Sequence, residues 1–219
     1  MLRLSAHTGS AWFAAVERDF GTFLQDHAAC ERKALATAMA LVAHYPDRVE
    51  LVDAMIVLAT EELDHFVRVR ELLCARGIPL AVDKKSVYAA GLRRQLRVLS
   101  GARLTDRLLV AAIIEARSCE RLGIVARNLS DGPERDFYRE LAVCEARHHA
   151  DFVRLAKTYA DPDDVDVRLD ELLEFEAAIL AAQPVSAHVH GGGLQLNDEV
   201  VPDSSIASSA AGTGRHGGD

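Results

Sequence analysis

The 219-residue sequence predicts an all-α protein built as a four-helix bundle, with additional short helices and a mobile C-terminal tail. Hydrophobic residues make up 49% of the chain and aromatic residues only 5%, which favours packed helices over a β-sandwich. Apolar residues recur every three or four positions along four long stretches, and no stretch has the alternation of a strand. The links are short within each pair of long helices and longer between the pairs, which is typical of a bundle with one long crossover.

The N-terminal half holds the first two long helices. A short amphipathic helix near residues 10–19 precedes a long helix at 21–45, which stops at the sequence YPD because the residue before a proline disfavours the helical conformation. The second long helix covers 48–76. It ends at Gly77, a residue type that readily adopts the left-handed conformation found after a helix.

The second pair of long helices follows a connection at 77–86 and a short basic helix near 87–98. The third long helix covers 104–128. The fourth covers 133–159 and starts at a proline, which suits the first position of a helix. An acidic amphipathic helix at 163–182 completes the predicted elements.

A change in composition marks the end of the predicted domain. From Pro184 onward the chain is rich in Gly, Ser, Ala and His and has no hydrophobic period. We therefore expect one folded domain over residues 1–183 and a low-complexity, disordered tail over 184–219.

Cysteine usage and hydropathy limit the classes of site and location. The four cysteines form no C-x-x-C pair, so the sequence encodes neither a zinc ribbon nor a rubredoxin-type iron site. The longest apolar run, LLVAAII at 108–114, is too short to span a membrane, and the N-terminus lacks a charged-then-apolar leader. We expect a cytoplasmic protein without a membrane partner.

A glutamate stands on the apolar stripe of every long helix. Glu62, for example, shares its helix face with Leu58 and Val69. A buried carboxylate costs several kcal/mol or more unless a positive charge compensates it, so these positions predict a binding site. The candidate metal ligands on the four stripes are Glu31, Glu62, His65, Glu115, Glu145 and His148. By the same reasoning, Glu61 and His149 fall outside the stripes and are expected to face solvent.

The spacing of these residues repeats along the chain. Glu31 lies 31 residues before Glu62, Glu115 lies 30 residues before Glu145, and the second glutamate of each pair opens an E-x-x-H motif. This repeat is the di-metal carboxylate arrangement of the ferritin-like bundle. The simpler alternative is a set of surface salt bridges, but all four helices place the glutamate on the apolar stripe.

The chemistry of the set suits a pair of metal ions. Four carboxylates offset the charge of two divalent ions, and oxygen-rich ligation with two imidazoles suits iron or manganese better than zinc. Several functions remain open at this point. An oxygenase would activate dioxygen beside an apolar pocket, a ferritin-like ferroxidase or iron-handling protein would oxidise iron, and a non-catalytic RNA-binding bundle would need no metal.

Charge is distributed unevenly along the chain. The net charge is −8, but residues 161–219 carry −10, whereas the window 66–127 holds thirteen basic and five acidic residues. A basic stripe of this kind can engage phosphate, although a solvated helix surface is the simpler interpretation.

Four motifs carry a resemblance to a known family. The sequences DHAACERKA, LATEELDHF, IIEARSCERL and CEARHHADF are similar to those of the tRNA 2-methylthio-isopentenyl-adenosine hydroxylase (MiaE) family, and the similarity extends over about residues 5–182. This resemblance implies a non-haem di-iron monooxygenase, an oxidoreductase of tRNA modification. It would hydroxylate the isopentenyl group of a (methylthio-)isopentenyl-adenosine beside the anticodon, with dioxygen as co-substrate and electrons from a separate reductase.

The resemblance also implies roles for individual residues. Glu31, Glu62 and His65 would serve one iron, and Glu115, Glu145 and His148 would serve the other. No catalytic residue beyond these metal ligands is expected, and the sequence leaves open which glutamates bridge. The anticodon stem-loop of the tRNA would contact the basic window, for which we select Lys84, Lys85, Arg93, Arg94 and Arg97.

Overall fold

The computed structural model of the protein describes residues 4–195, which form seven helices. Within these residues no strand forms, and two isolated β-bridges are the only extended pairings. None of the described helices is long and apolar enough to cross a membrane. The helices are α1 (Ser10–Arg18), α2 (Phe20–His44), α3 (Val49–Ala75), α4 (Val87–Arg93), α5 (Ser100–Asn128), α6 (Pro133–Tyr159) and α7 (Pro162–Ala181).

Most helix ends follow from local sequence signals. The Asp19 side chain accepts a hydrogen bond from the backbone N–H of Thr22 at 3.0 Å, which caps α2. After α3, Gly77 adopts φ 66°, the left-handed conformation expected there. The short basic helix, predicted to reach residue 98, ends at Arg93 instead. A tertiary contact explains the difference, because the backbone N–H of Arg97 donates to the Asp106 carboxylate at 2.8 Å rather than continuing the helix.

The four long helices pack as two hairpins, α2 with α3 and α5 with α6, and the crossover between the hairpins carries α4. Their buried apolar residues form two separate clusters. Along each long helix, the residues of one cluster give way to those of the other across the position of the predicted metal ligands. We call the ligand positions between the two clusters the polar layer, and they comprise Glu31, Glu62, His65, Glu115, Glu145 and His148.

The outer helices α4 and α7 are fixed to α5 by buried polar groups. Arg117 and Glu176 are both fully buried, and the Arg117 guanidinium donates to both Glu176 oxygens at 2.8 Å. The Tyr88 hydroxyl on α4 donates to the same carboxylate at 3.0 Å. A buried carboxylate with these donors is satisfied, so the contact specifies where α4 and α7 sit.

Residues 184–195 differ from the tail that the sequence analysis expected from residue 184. Val189 is buried, its N–H donates to Asp26 at 2.8 Å, and its carbonyl accepts from the buried Arg121 at 2.6 Å. The indole N–H of Trp12 donates to the carbonyl of His188 at 2.9 Å. These partners lie far away in the sequence, so no local sequence pattern predicts that residues 184–195 pack against the domain. The remainder of the expected tail, 196–219, lies outside the described residues.

Candidate metal centre

All six predicted ligands lie inside the bundle, with residue exposures of 6% or less. Each long helix delivers its glutamate from the apolar stripe, and α3 and α6 each add the histidine that lies almost one turn further on. The helical period therefore brings together residues that are far apart in sequence, as the stripe analysis predicted.

The six side chains form two overlapping groups whose ligand atoms lie within 4.8 Å of one another. One group contains Glu31, Glu62, His65 and Glu145, and the other contains Glu62, Glu115, Glu145 and His148. Glu62 and Glu145 belong to both groups. This arrangement suits two neighbouring cations, with these two carboxylates placed between them.

The buried atoms of the cluster approach one another without forming hydrogen bonds. His148 Nδ1 lies 3.0 Å from Glu62 Oε1 and 3.6 Å from Glu145 Oε2, and His65 Nδ1 lies 3.5 Å from Glu31 Oε2. Yet Glu62 Oε1, Glu145 Oε2 and both Nδ1 atoms have no hydrogen-bond partner among the described residues. Buried polar atoms are normally paired, so atoms that converge without pairing fit a shared metal ion.

The pKa shifts of the clustered residues also fit a metal site. Burial and the neighbouring carboxylates raise the pKa values of Glu62, Glu115 and Glu145. Burial opposes the charge of His65 as well, but the Cys144 thiol and the Glu31 carboxylate together raise its pKa to about 11. Four carboxyls in one buried space thus resist ionising together, and a divalent cation would favour their charged forms.

His27 extends the cluster beyond the six ligands. Its Nε2 lies 2.6 Å from Glu31 Oε1, and its Nδ1 lies 3.3 Å from the buried Tyr138 hydroxyl. Burial opposes ionisation of Glu31, but His27 and His65 lower the pKa of that carboxyl below its ordinary value. His27 is therefore positioned to orient Glu31, the one glutamate of the cluster whose pKa is lowered.

Two expectations about solvent-facing residues are wrong. The Glu61 side chain is only 31% exposed, and its Oε2 lies 2.9 Å from His148 Nε2 while Oε1 accepts from Arg147 at 2.7 Å. His149 is half-buried, and its Nδ1 lies 2.8 Å from the carbonyl of Ala112. Both residues sit at the seams between helices, where a helical wheel does not separate a buried contact from an exposed position.

The predicted RNA contacts fall into two sets. Lys84, Lys85, Arg93 and Arg94 are exposed, and no acidic side chain pairs with them among the described residues. Arg97 instead donates to the buried Asp106 carboxylate through Nη2 at 2.7 Å. Other basic residues of the window are likewise engaged inside the protein, so the window offers less free charge than the sequence count indicates.

A groove on the described surface lies away from the cluster. It has a volume of about 610 Å³ between α6 and α7 and is lined by residues such as Arg154 and Lys157. None of the six ligands lines it, so the groove carries no argument about the metal centre.

Comparison with known proteins gives consistent relatives. A family model described as tRNA-(MS[2]IO[6]A)-hydroxylase (MiaE) matches residues 2–191. The tRNA 2-(methylsulfanyl)-N(6)-isopentenyladenosine(37) hydroxylase of Pseudomonas putida is 37% identical over 86% of this chain and 92% of its own length. The protein of the same name from Salmonella typhimurium is also 37% identical, over 65% of this chain and 52% of its own length.

A solved structure is similar over almost the whole fold. It is described as protein 43 with aldehyde deformylating oxygenase activity from Synechococcus, and it is 34% identical to this chain with a TM-score of 0.83. The similarity covers 89% of this chain and 98% of the other. The all-α, ferritin-like fold class predicted from the sequence is thereby confirmed.

Proposed function

This chain belongs to the MiaE family of tRNA hydroxylases, and from that premise we propose that it hydroxylates the isopentenyl group of a (methylthio-)isopentenyl-adenosine in tRNA, at a di-iron centre held by the polar layer. The resemblance in the four sequence motifs and the family membership agree. The observation that carries the chemistry is the convergence of four glutamates and two histidines on one space, where four of their buried polar atoms have no hydrogen-bond partner among the described residues.

The six residues of the polar layer would hold the metal. Glu31 and His65 would hold one ion, Glu115 and His148 would hold the other, and Glu62 and Glu145 lie within reach of both. Two redox-active irons would supply the dioxygen activation that an unactivated C–H bond requires. Oxygen-rich ligation with only two imidazoles supports iron over zinc.

The surrounding residues hold the ligands and limit water. The two apolar clusters lie on either side of the polar layer, so the carboxylates face one another across a low-dielectric space. His27, whose Nδ1 lies against the Tyr138 hydroxyl, contacts Glu31 on one side, and Glu61 approaches His148 on the other. These contacts fix the ligand geometry before any substrate arrives.

The tRNA would be recognised through its phosphates. Lys84, Lys85, Arg93 and Arg94 are free to make those contacts, whereas the charge of Arg97 is partly neutralised by Asp106. We infer that the anticodon stem-loop lies across α4 and the connection before it. Arg93 and Arg94, at the end of α4, would add two positive charges to this proposed phosphate-binding surface.

We also propose that a separate reductase supplies the electrons and that the enzyme works in the cytoplasm, where tRNA resides. The four cysteines form no C-x-x-C pair that would hold a rubredoxin-type iron of the chain's own. Dioxygen is the co-substrate of the proposed reaction.

A single assay tests this proposal. The full chain is produced with iron, the iron per chain is counted, and the protein is incubated with isopentenylated tRNA, a reductant and dioxygen. Mass spectrometry of the digested tRNA should detect a nucleoside heavier by one oxygen atom. The matched control is tRNA from cells that do not attach the isopentenyl group, which should stay unchanged.

Other outcomes separate the alternatives. If iron is bound and reductant is consumed but no nucleoside gains oxygen, the tRNA reaction fails and the metal centre stands. Catalytic oxidation of excess Fe(II) without tRNA would favour a ferroxidase. Release of formate from an added aldehyde would favour the activity after which the Synechococcus protein is described.

A further inference from the structure

The two nitrogens of the His148 ring face different partners. Nδ1 points into the polar layer, 3.0 Å from Glu62 Oε1, and has no hydrogen-bond partner in the described part of the chain. Nε2 points outward and lies 2.9 Å from Glu61 Oε2. A carboxylate accepts hydrogen bonds and does not donate them, so Nε2 carries the hydrogen of this contact. The neutral ring then has its lone pair on Nδ1, the atom that faces the polar layer.

Glu61 is itself held in place. Its second oxygen accepts from Arg147 Nη2 at 2.7 Å, so both carboxylate oxygens are engaged. The carboxylate therefore has a fixed orientation, and the side chain of Arg147 joins it to the surface.

His65, the other histidine of the centre, lacks such a partner. Its Nδ1 faces Glu31, Glu62 and Glu145 inside the polar layer. No further carboxylate oxygen lies within 4.0 Å of its ring nitrogens among the described residues, and its neighbour outside the layer is the Cys144 thiol. A thiol is a weak hydrogen-bond partner, so it orients the ring less strongly and donates less electron density than a carboxylate.

We propose that Glu61 is a positioning residue which holds His148 in the tautomer with Nε2–H, and that it thereby makes the His148 half of the centre bind metal more tightly than the His65 half. The inference rests on the metal centre proposed above. A carboxylate behind a ligand histidine fixes the tautomer and the ring orientation and raises the basicity of the inner nitrogen. The Cys144 thiol lies near both histidines, 3.5 Å from His148 Nε2, so the asymmetry comes from Glu61 alone.

Cobalt(II) is the probe for this proposal, because its absorption reports each ion as it binds and needs no turnover. Metal-free full-length protein is titrated with Co(II), and the wild type should bind two equivalents with separate affinities. In Glu61→Ala the tighter affinity should fall by about 10- to 100-fold, and the weaker one should stay within about twofold. Glu61→Gln keeps an acceptor oxygen without its charge and should give an intermediate loss.

The matched control is Glu71→Gln, which removes the charge of an exposed carboxylate on the same helix. It should leave both affinities unchanged. The thermal midpoint of each metal-free variant is measured in parallel, since a merely structural role for Glu61 would lower that midpoint and leave the two affinities in their wild-type ratio.

The outcomes distinguish this proposal from the one on which it rests. If the wild type binds two Co(II) ions and both Glu61 variants keep both affinities, or lose both equally, the role of Glu61 is refuted and the metal centre stands. If the wild type binds no Co(II) or Fe(II), the metal centre itself fails. A selective loss of the tighter equivalent supports both.

Discussion

Glu115 illustrates the cost of the polar layer at the scale of a residue. Its carboxyl is almost fully buried, and burial together with Glu145 raises its pKa well above the ordinary value. A carboxyl whose pKa is higher in the folded state loses stability as the pH rises above its pKa in the unfolded chain. Without a metal, this side chain therefore works against folding at neutral pH.

Glu115→Gln is expected to make the metal-free protein more stable. Glutamine keeps the shape and removes the charge, so the gain should be about 1 kcal/mol or more at about pH 8 and smaller at about pH 5. The same variant should lose most of the rise in melting temperature that iron or cobalt gives the wild type. Thermal unfolding with and without metal measures both effects, and Glu174→Gln, an exposed carboxylate on α7, is the control.

The burial of the six polar-layer residues was predictable because their positions follow from the helical period alone. Glu61 and His149 were not, because each lies at a seam whose partner helix the sequence does not identify. The tautomer of His148 depends in turn on Glu61. Sequence therefore predicts which residues enter the polar layer, and the packing determines what stands behind them.

At the scale of the element, Asp106 ties three segments together. Its buried carboxylate on α5 accepts from Arg97, just after α4, and from Arg168 on α7 at 3.1 Å. The two arginines outweigh the effect of burial and lower the pKa of Asp106 below its ordinary value. This contact also ends the short basic helix early, which the sequence did not indicate because the partner residues are distant.

Asp106→Asn should destabilise the protein by about 3 kcal/mol at about pH 7, because two arginines lose their buried counter-charge. The folded-state pKa is lowered, so the stabilisation is present above the unfolded-state pKa of about 4 and is lost as the pH falls through the folded-state value. The difference between wild type and variant should therefore shrink towards about pH 3. Urea unfolding at both pH values measures it.

A control for this prediction is Asp166→Asn, which removes an exposed partner of Lys157. It should cost less than about 1 kcal/mol at either pH. Equal costs for the two variants would contradict the role of Asp106 as a buried connection.

The packed segment 184–195 gives a second prediction at this scale. A side chain at Gly192 would clash with the carbonyl of Gln183, and the N–H of Gly192 donates to the carbonyl of Pro184 at 3.0 Å. Gly192→Ala should therefore destabilise the protein by about 1 to 3 kcal/mol. Gly101→Ala, at a helical position with open space around it, should be neutral or stabilising. Chemical unfolding of the two variants under one condition decides whether this segment belongs to the folded domain.

At the scale of the whole molecule, four exposed basic residues without an acidic partner among the described residues lie before and at the end of α4, whereas several other arginines of the basic window make internal contacts. Arg117 and Arg121 belong to the basic window of the sequence, yet both are fully buried. Counting charges along the chain thus overestimates the charge that this region can offer to phosphate. Only the fold separates a structural arginine from one that is free to bind phosphate.

Replacing Arg93 and Arg94 together by alanine should weaken tRNA binding and lower the slope of log affinity against log salt by about 1 to 2. The slope changes because binding releases about one counterion fewer from the tRNA for each phosphate contact that is lost. The control is Arg139→Ala, because that exposed arginine on α6 already pairs with Asp136 at 3.2 Å. Filter binding at several salt concentrations gives both quantities, and equal slopes for wild type and the double variant would contradict this RNA surface.

The long helices pass from one apolar cluster to the other through the polar layer, where four buried carboxyls lie close together. A bound cation would join the four long helices at their central turns. The metal-free protein would then be least stable at those central turns rather than at the ends of the bundle. Amide hydrogen exchange should therefore speed up around the central turns when metal is stripped, with the outer turns holding firm. The supply of metal would then determine the fraction of newly made chains that reach the stable folded state, as well as the fraction that is active.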